Sequence, residues 1–215
     1  MTIRFLAVPL VMVAILFGSA GRWDLPLVWA YIAVLVAFIP VFRFTMDPGL
    51  VQERLRPGPG GKDRHIRLIA FPLVLCHWVF AMLDIGRFHW SDTIPYGFRV
   101  AGLIGLAVSL GMAVWAMSVN PFFSPVVRIQ HERGHRLVTE GPYRFVRHPG
   151  YVSSLLSCVF GSLVLGSWWG AVPITALIFV ILRRTALEDR YLQQELEGYA
   201  EYAKRVRYRL VPGLW

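Results

Sequence analysis

Apolar positions along this chain fall into long unbroken runs rather than narrow stripes. Four of them, 5–21 (FLAVPLVMVAILFGSAG), 25–42 (LPLVWAYIAVLVAFIPVF), 67–86 (RLIAFPLVLCHWVFAMLDIG) and 97–119 (GFRVAGLIGLAVSLGMAVWAMSV), are long enough to cross a bilayer, which takes about 20 helical residues. A fifth run, 150–182, is broken by GSWWG at 166–170. As one straight helix it would be about 50 Å long, against a hydrocarbon core of about 30 Å. A helical hairpin is therefore predicted, with Trp168 and Trp169 near an interface. Beyond Arg183 the pattern changes to spacings of three and four, through Leu187, Tyr191, Leu192, Leu196, Tyr199, Ala203 and Val206. That stripe predicts one amphipathic helix over 183–207. The expected fold is thus an all-α integral membrane protein. It comprises a scaffold of four transmembrane helices over 1–119 and a second unit over 120–215, which contains the hairpin 150–182 and a cytosolic tail helix.

Composition agrees, with 56% hydrophobic residues among 215 and a mean hydropathy of +0.52. The first run, with Arg4 ahead of it and small residues at its end, has the outline of a secretory leader. Further spans follow at once with no polar mature domain, so a retained helix is expected. Charge sets the orientation. Of 22 Lys and Arg, one is at the N-terminus, six lie in 43–67, five in 128–147 and seven from Arg183 onward, leaving Arg22, Arg87 and Arg99 for the other side. This bias puts the N-terminus, both long loops and the tail in the cytoplasm. The net charge of +9 is then accounted for by topology and anionic lipid rather than by nucleic acid. Cys76 and Cys158 lie inside apolar runs and are read as packing thiols, with no metal expected.

Polar chemistry gathers in the last hundred residues. The connection MDPGLVQERLRPGPGGKDRH (46–65) is predicted to be a loop with a short polar turn at 50–55. NPFFSP at 120–125 suggests an interfacial elbow. HERGH (131–135) matches HExxH, in which two histidines one helical turn apart bind zinc beside a general-base Glu. Gly134 disfavours the helix by about 1 kcal/mol, and the flanking sequence alternates like a strand or hairpin. A solvated turn is expected, with a zinc peptidase as the alternative. His77 and Asp84 share one face of the third span, where ionisable groups are costly; helix-end and hydrogen-bonded structural roles are expected of them. Arg183, Arg184 and Glu188 leave the hairpin on the side where Arg147, His148 and Tyr151 enter it, so the topology brings both clusters together.

GHRLVTEGPYRFVRHPGY, an apolar hairpin and then RRTALEDRYLQQELEGYAEYAKRVRYRLVPGLW resemble the isoprenylcysteine carboxyl methyltransferase family, whose wider relatives are membrane phospholipid N-methyltransferases. The resemblance covers 120–215, and DPGLVQERLRP upstream looks like the bacterial branch, which implies a bacterial inner membrane. It implies an integral membrane enzyme that uses S-adenosylmethionine on a lipophilic or lipidated acceptor among membrane lipids. Carried over by position, Leu137, Val138, Gly141, Tyr143, Arg147, His148, Pro149 and Tyr151 would line the cofactor site. Glu188 would take the methionyl amino group or lie beside the reaction centre, and Arg184 would orient the acceptor. Ser153 stands where the family often has glycine, and Asp189 replaces the second Glu of the usual pair.

The residue types suit that chemistry. Methyl transfer is an in-line displacement in which orientation supplies several kcal/mol. A carboxylate acceptor, with a pKa near ~4, is ionised at neutral pH and needs no base; an amine or thiol would need one, and His148 or Glu188 could serve. A prenylcysteine-like carboxylate is the leading acceptor. An NADPH-dependent membrane reductase of the steroid-reductase type and a non-enzymatic membrane scaffold remain open alternatives. The sequence sets no oligomeric state.

Overall fold

The computed structural model describes residues 2–63 and 65–215, with side chains described from Val8 onward apart from residue 64. Arg4 and Arg64, counted above among the basic residues, lie outside the described side chains. The helices are α1 (Thr2–Ala20), α2 (Pro26–Thr45), α3 (Pro48–Leu55), α4 (Ile66–Leu83), α5 (Tyr96–Val119), α6 (Pro149–Leu165), α7 (Trp168–Glu195) and α8 (Tyr199–Arg205). The chain is an all-helical integral membrane protein. Among the described residues α2, α4 with its π-turn to Phe88, α5 and α7 are long and apolar enough to span a bilayer, and α1 from Val8 and α6 are shorter apolar helices.

Close backbone approach holds the bundle together. A Cβ on Gly105 would lie 2.5 Å from the Phe160 ring, and one on Gly102 only 3.0 Å from Val164 N, so α5 and α6 pack where side chains are absent. Leu16, Phe17, Val28, Ala81, Met82, Leu106, Val164 and Leu165 fill the core between α1, α2, α4, α5 and α6. His77 Nδ1 lies 2.7 Å from Gly170 O, and Ser167 Oγ donates to Asp84 Oδ2 at 2.5 Å. Both ionisable groups therefore brace α4 against the start of α7, a structural role.

The two ends of the bundle differ. One end carries exposed Trp23, Trp29, Phe88, Trp90, Trp168 and Trp169, with Phe88 stacked on Trp90 and Trp90 edge-on to Trp169. Amphipathic rings collect in this way where hydrocarbon meets headgroups. Two of the three arginines assigned to this side serve as helix caps. Arg87 donates to Ser19 O (2.7 Å) and Gly18 O (3.2 Å) at the end of α1, and Arg99 donates to Val164 O (3.1 Å) and Leu165 O (3.4 Å) at the end of α6. Each satisfies carbonyls that a helix terminus leaves unpaired. The opposite end carries α3, the 120–148 segment and the tail.

Three local expectations differ from the structure. The polar turn at 50–55 is the last six residues of a true helix, α3: Asp47 caps it by accepting from Leu50 N at 3.0 Å, and Pro48 opens it with a preset φ. Among the described residues the strand-like stretch around HERGH forms no ladder, only a single Lys62–Val127 bridge. The separate tail helix from 183 is instead the uninterrupted continuation of α7 to Glu195. No breaker stands at 182–183; the chain breaks at Gly198, which takes the left-handed conformation (φ 77°) that starts α8.

Candidate functional site

At this second end a cavity of about 210 Å³ lies between the 120–138 segment, the start of α6 and the outer half of α7. Its roof is clamped by α3. Glu53 Oε1 accepts from Arg128 Nε (2.9 Å) and Ser124 Oγ (2.7 Å), while Oε2 accepts from Arg128 Nη2 (2.7 Å) and Gly58 N (3.2 Å). Burial pushes the Glu53 carboxyl up, but these four hydrogen bonds and the Arg128 charge outweigh it and hold the pKa at about 2.

The floor is organised by Asp189, which is fully buried. Its Oδ1 accepts from Arg147 Nε (2.7 Å) and Tyr199 OH (3.1 Å) and lies 3.1 Å from His148 Nε2; its Oδ2 accepts from Arg209 Nε and Gln193 Nε2, both at 2.8 Å, and from Arg147 Nη2 at 3.1 Å. Arg147 Nη1 also donates to Val206 O (2.8 Å) and Arg207 O (2.7 Å). The backbone reinforces this, since Arg147 N and His148 N donate to Tyr208 O and Arg209 O, each at 3.0 Å. His148 then takes the N-cap position of α6, whose first residue is Pro149, with its side chain turned to Asp189 instead of the helix. Burial raises the Tyr199 phenol well above its ordinary value, and the Asp189 charge adds to this, so Tyr199 stays a donor.

A chain of polar contacts crosses the cavity. Asp63 Oδ2 accepts from Arg184 Nη1 (2.8 Å), Arg184 Nε donates to Tyr151 OH (2.6 Å), and Tyr151 OH donates to Glu188 Oε2 (2.6 Å). Glu188 Oε1 lies 4.0 Å from His148 Nδ1. Arg184 Nη2 donates to Pro125 O at 2.7 Å, tying α7 to the roof. Glu188 keeps a quarter of its side chain exposed, whereas Asp189 one position on is sealed. Successive helix positions point about 100° apart, which gives two adjacent carboxylates two different surroundings.

Of the residues singled out from the sequence, Leu137, Val138, Tyr143, Arg147, His148, Tyr151, Arg184 and Glu188 line this one cavity. Gly141 and Pro149 do not. Gly141 is left-handed (φ 56°), and a Cβ there would face Trp115 and Val119 of α5. Asn120 Nδ2 donates to Tyr143 OH at 2.9 Å. Sequence reading missed Glu53, Arg54, Asp63 and the pairing of Arg128. The Asp47–Pro48 start signal was available for the helix that carries the first two.

HERGH forms a single 3₁₀ turn over His131–Arg133, with Gly134 left-handed behind it. The helix that a zinc-binding HExxH requires is not formed. Glu132 pairs with Arg128 at 2.5 Å, and His135 stacks on Phe122 with centroids 4.6 Å apart. Burial, with the nearby charges of Arg128 and Arg133, pushes His135 down to about 4.

Comparison with known proteins places the same region in context. The model of the isoprenylcysteine carboxyl methyltransferase (ICMT) family matches residues 103–194. The cobalt-zinc-cadmium resistance protein CzcN of Cupriavidus metallidurans is 29% identical over 138 residues, 61% of this chain and 58% of that protein. Protein-S-isoprenylcysteine O-methyltransferase B of Arabidopsis thaliana is 35% identical over 91 residues, 39% of this chain and 44% of that protein. A probable protein-S-isoprenylcysteine O-methyltransferase of Oryza sativa subsp. indica is 35% identical over 137 residues, 59% of this chain and 70% of that protein. The chain thus spans about half the length of the first two relatives.

Proposed function

We propose, on the footing that this chain belongs to the isoprenylcysteine carboxyl methyltransferase family, that it is a membrane methyltransferase using S-adenosylmethionine to esterify a carboxylate on a lipophilic acceptor. The observation that carries the reading is the composition of the cavity lining. Glu188 is its one carboxylate among the described residues, set against Arg54, Arg128, Arg136, Arg147 and Arg184 and walled by Leu137, Val138, Leu192 and Leu196.

That donor set fits an amino-acid-bearing nucleoside. Glu188 would take its ammonium, exposed Arg136 its carboxylate, and the leucines with Val138 its flat base. Bound there, S-adenosylmethionine would supply an electrophilic methyl group on a cationic sulfur. The chain's own residues orient and exclude water. Tyr151, fixed between Arg184 and Glu188, holds the Glu188 carboxylate in one position. Asp189 holds His148 by its Nε2 edge, leaving Nδ1 toward Glu188. No group has to accept a proton, because a carboxylate acceptor is already ionised at neutral pH. Orientation alone can contribute several kcal/mol to such a displacement.

The distribution of basic residues supports a cytoplasmic position for this end of the bundle, in a bacterial inner membrane, with lipidated or lipid-like acceptors arriving from the bilayer. Calorimetric titration of the detergent-purified protein with S-adenosylhomocysteine, with NADPH in parallel, tests the reading. Micromolar binding of the first, lost in Glu188→Gln, is expected. Binding of NADPH alone would move the chain to reductase chemistry.

A further inference from the structure

At the cavity end, the tail is tied by backbone to the segment that leads into α6. Arg147 N and His148 N donate to Tyr208 O and Arg209 O, each at 3.0 Å. Beyond that pairing the tail curls on itself, with Leu210 N (3.0 Å) and Val211 N (3.1 Å) both donating to Trp215 O. The Arg209 guanidinium lies 5.2 Å from the centroid of the Trp215 ring. The curl turns Leu210 inward, 3% exposed, and leaves Val211 and Leu214 outward, Leu214 81% exposed. In the facing segment Tyr143 and Val146 are buried, while Phe145 is 65% exposed.

Height decides what these apolar side chains meet. The 17 residues of α6 rise about 25 Å, about 5 Å short of a hydrocarbon core of about 30 Å. Tilt only increases the shortfall. At its far end α6 gives way to the exposed Trp168 and Trp169 of the aromatic belt. The near edge of the hydrocarbon therefore falls before Pro149, at the level of Phe145 and of the tail paired with 147–148. Charge points the same way. Residues 202–215 carry Lys204, Arg205, Arg207 and Arg209 and no Asp or Glu, and 141–148 carry Arg144 and Arg147 and no acid. Arg147 and Arg209 pair with Asp189, and Lys204 with Glu201. Arg144, Arg205 and Arg207 are exposed, and among the described residues no carboxylate pairs with them.

We propose that the curl 207–215 and Phe145 form a foot set in the leaflet on the cavity side of the bilayer. Phe145, Val211 and Leu214 enter the outermost hydrocarbon, and Arg144, Arg205 and Arg207 hold anionic phospholipid headgroups. The inference goes beyond the methyltransferase reading and does not depend on it. The foot is one contact away from the cavity floor, since Arg209 Nε donates to Asp189 Oδ2 and Arg147 Nη1 to Val206 O and Arg207 O. Anionic lipid held at the foot therefore stabilises the folded chain. Each cation beside an anionic leaflet strengthens attachment roughly 5-fold.

The test reconstitutes the full chain in nanodiscs of phosphatidylcholine, alone or mixed with phosphatidylglycerol. A nitrobenzoxadiazole label on Leu214→Cys, in a Cys76→Ala/Cys158→Ala background, should be quenched by nitroxide-bearing phospholipid and shielded from aqueous iodide. Phosphatidylglycerol should raise Tm by several degrees. Arg144→Gln/Arg207→Gln should lose most of that gain while matching wild type in phosphatidylcholine alone. Free quenching of the label by iodide would put the curl in water and overturn the inference. A label shielded from both quenchers would mean that a second copy of the chain covers this face, which also overturns it. An undiminished gain in the double variant would place the anionic lipid elsewhere on the chain and reject the assignment. Should the double variant not fold, Arg144→Gln and Arg207→Gln taken singly decide: each should lose part of the gain, and no loss in either rejects the foot.

Discussion

Arg147 and Asp189 meet in a two-bond contact, Nε to Oδ1 at 2.7 Å and Nη2 to Oδ2 at 3.1 Å, with both side chains shielded from water. The contact joins the loop before α6 to α7 and, through Arg147 Nη1, to the carbonyls of Val206 and Arg207. A residue expected to line a cofactor site thus also fastens the tail across the floor of the cavity.

Asp189→Ala should therefore fail mainly in folding. It would leave Arg147 buried without its counter-ion and remove the acceptor shared by His148, Tyr199, Gln193 and Arg209. Breaking a buried pair from one side costs about 3–5 kcal/mol. Thermal unfolding in detergent should show a large fall in Tm or no cooperative transition, and an unchanged Tm would contradict the hub role.

Tyr151→Phe should separate positioning from folding. Arg184 keeps Asp63 and Pro125 O, while Glu188 loses its hydrogen bond from Tyr151. Loss of a hydrogen bond to a charged group is worth about 1.5–3 kcal/mol. S-adenosylhomocysteine affinity should fall by roughly 10- to 100-fold with Tm nearly unchanged, and full affinity would show that Glu188 needs no fixing.

Stability should depend on acid through Glu53. Its pKa is about 2 in the folded protein against an ordinary 4.5. Its contribution is therefore fully present above about pH 4.5 and is lost as pH falls through about 2. The amount is on the order of 3 kcal/mol. Tm measured from pH 6 down to pH 3 should decline, and Glu53→Gln should start lower and decline less steeply. Parallel profiles would exclude Glu53 as the source.

Gly86→Ala should destabilise the bundle and spare the cavity. A Cβ at Gly86 would lie 2.5 Å from Ala20 O and 2.6 Å from Ala20 Cα, which as backbone cannot swing away. Overpacking of this kind costs about 1–3 kcal/mol. Tm should drop by several degrees while S-adenosylhomocysteine affinity stays at the wild-type value; equal Tm values would mean that α1 shifts freely.

The long helices were legible because a bilayer demands about 20 apolar residues whatever their partners, and the GSWWG hairpin turn was legible from length. The meeting of Arg184, Glu188, His148 and Tyr151 followed from the hairpin's topology. Glu53–Arg128 and Asp63–Arg184 were not legible, because nothing local tells a surface charge from a buried one whose partner arrives from another helix. Asp189 showed in the sequence only as a departure from a family pattern. Its shorter side chain is the one that the folded chain encloses completely. The end of the apolar run after Leu182 suggested a helix boundary where only the surroundings change, since hydrogen bonding along α7 continues through it.

That continuity has a mechanical consequence. The 28 residues of α7 span about 42 Å, roughly 12 Å more than a bilayer core. The surplus is a stiff mast rooted between tryptophans at the far face, with Glu188 and Asp189 where it begins to project and Arg184 one turn below them. Its length and tilt fix how high the Glu188 carboxylate stands above the hydrocarbon. A membrane that thickens or thins beneath it changes that elevation for every group on the mast together.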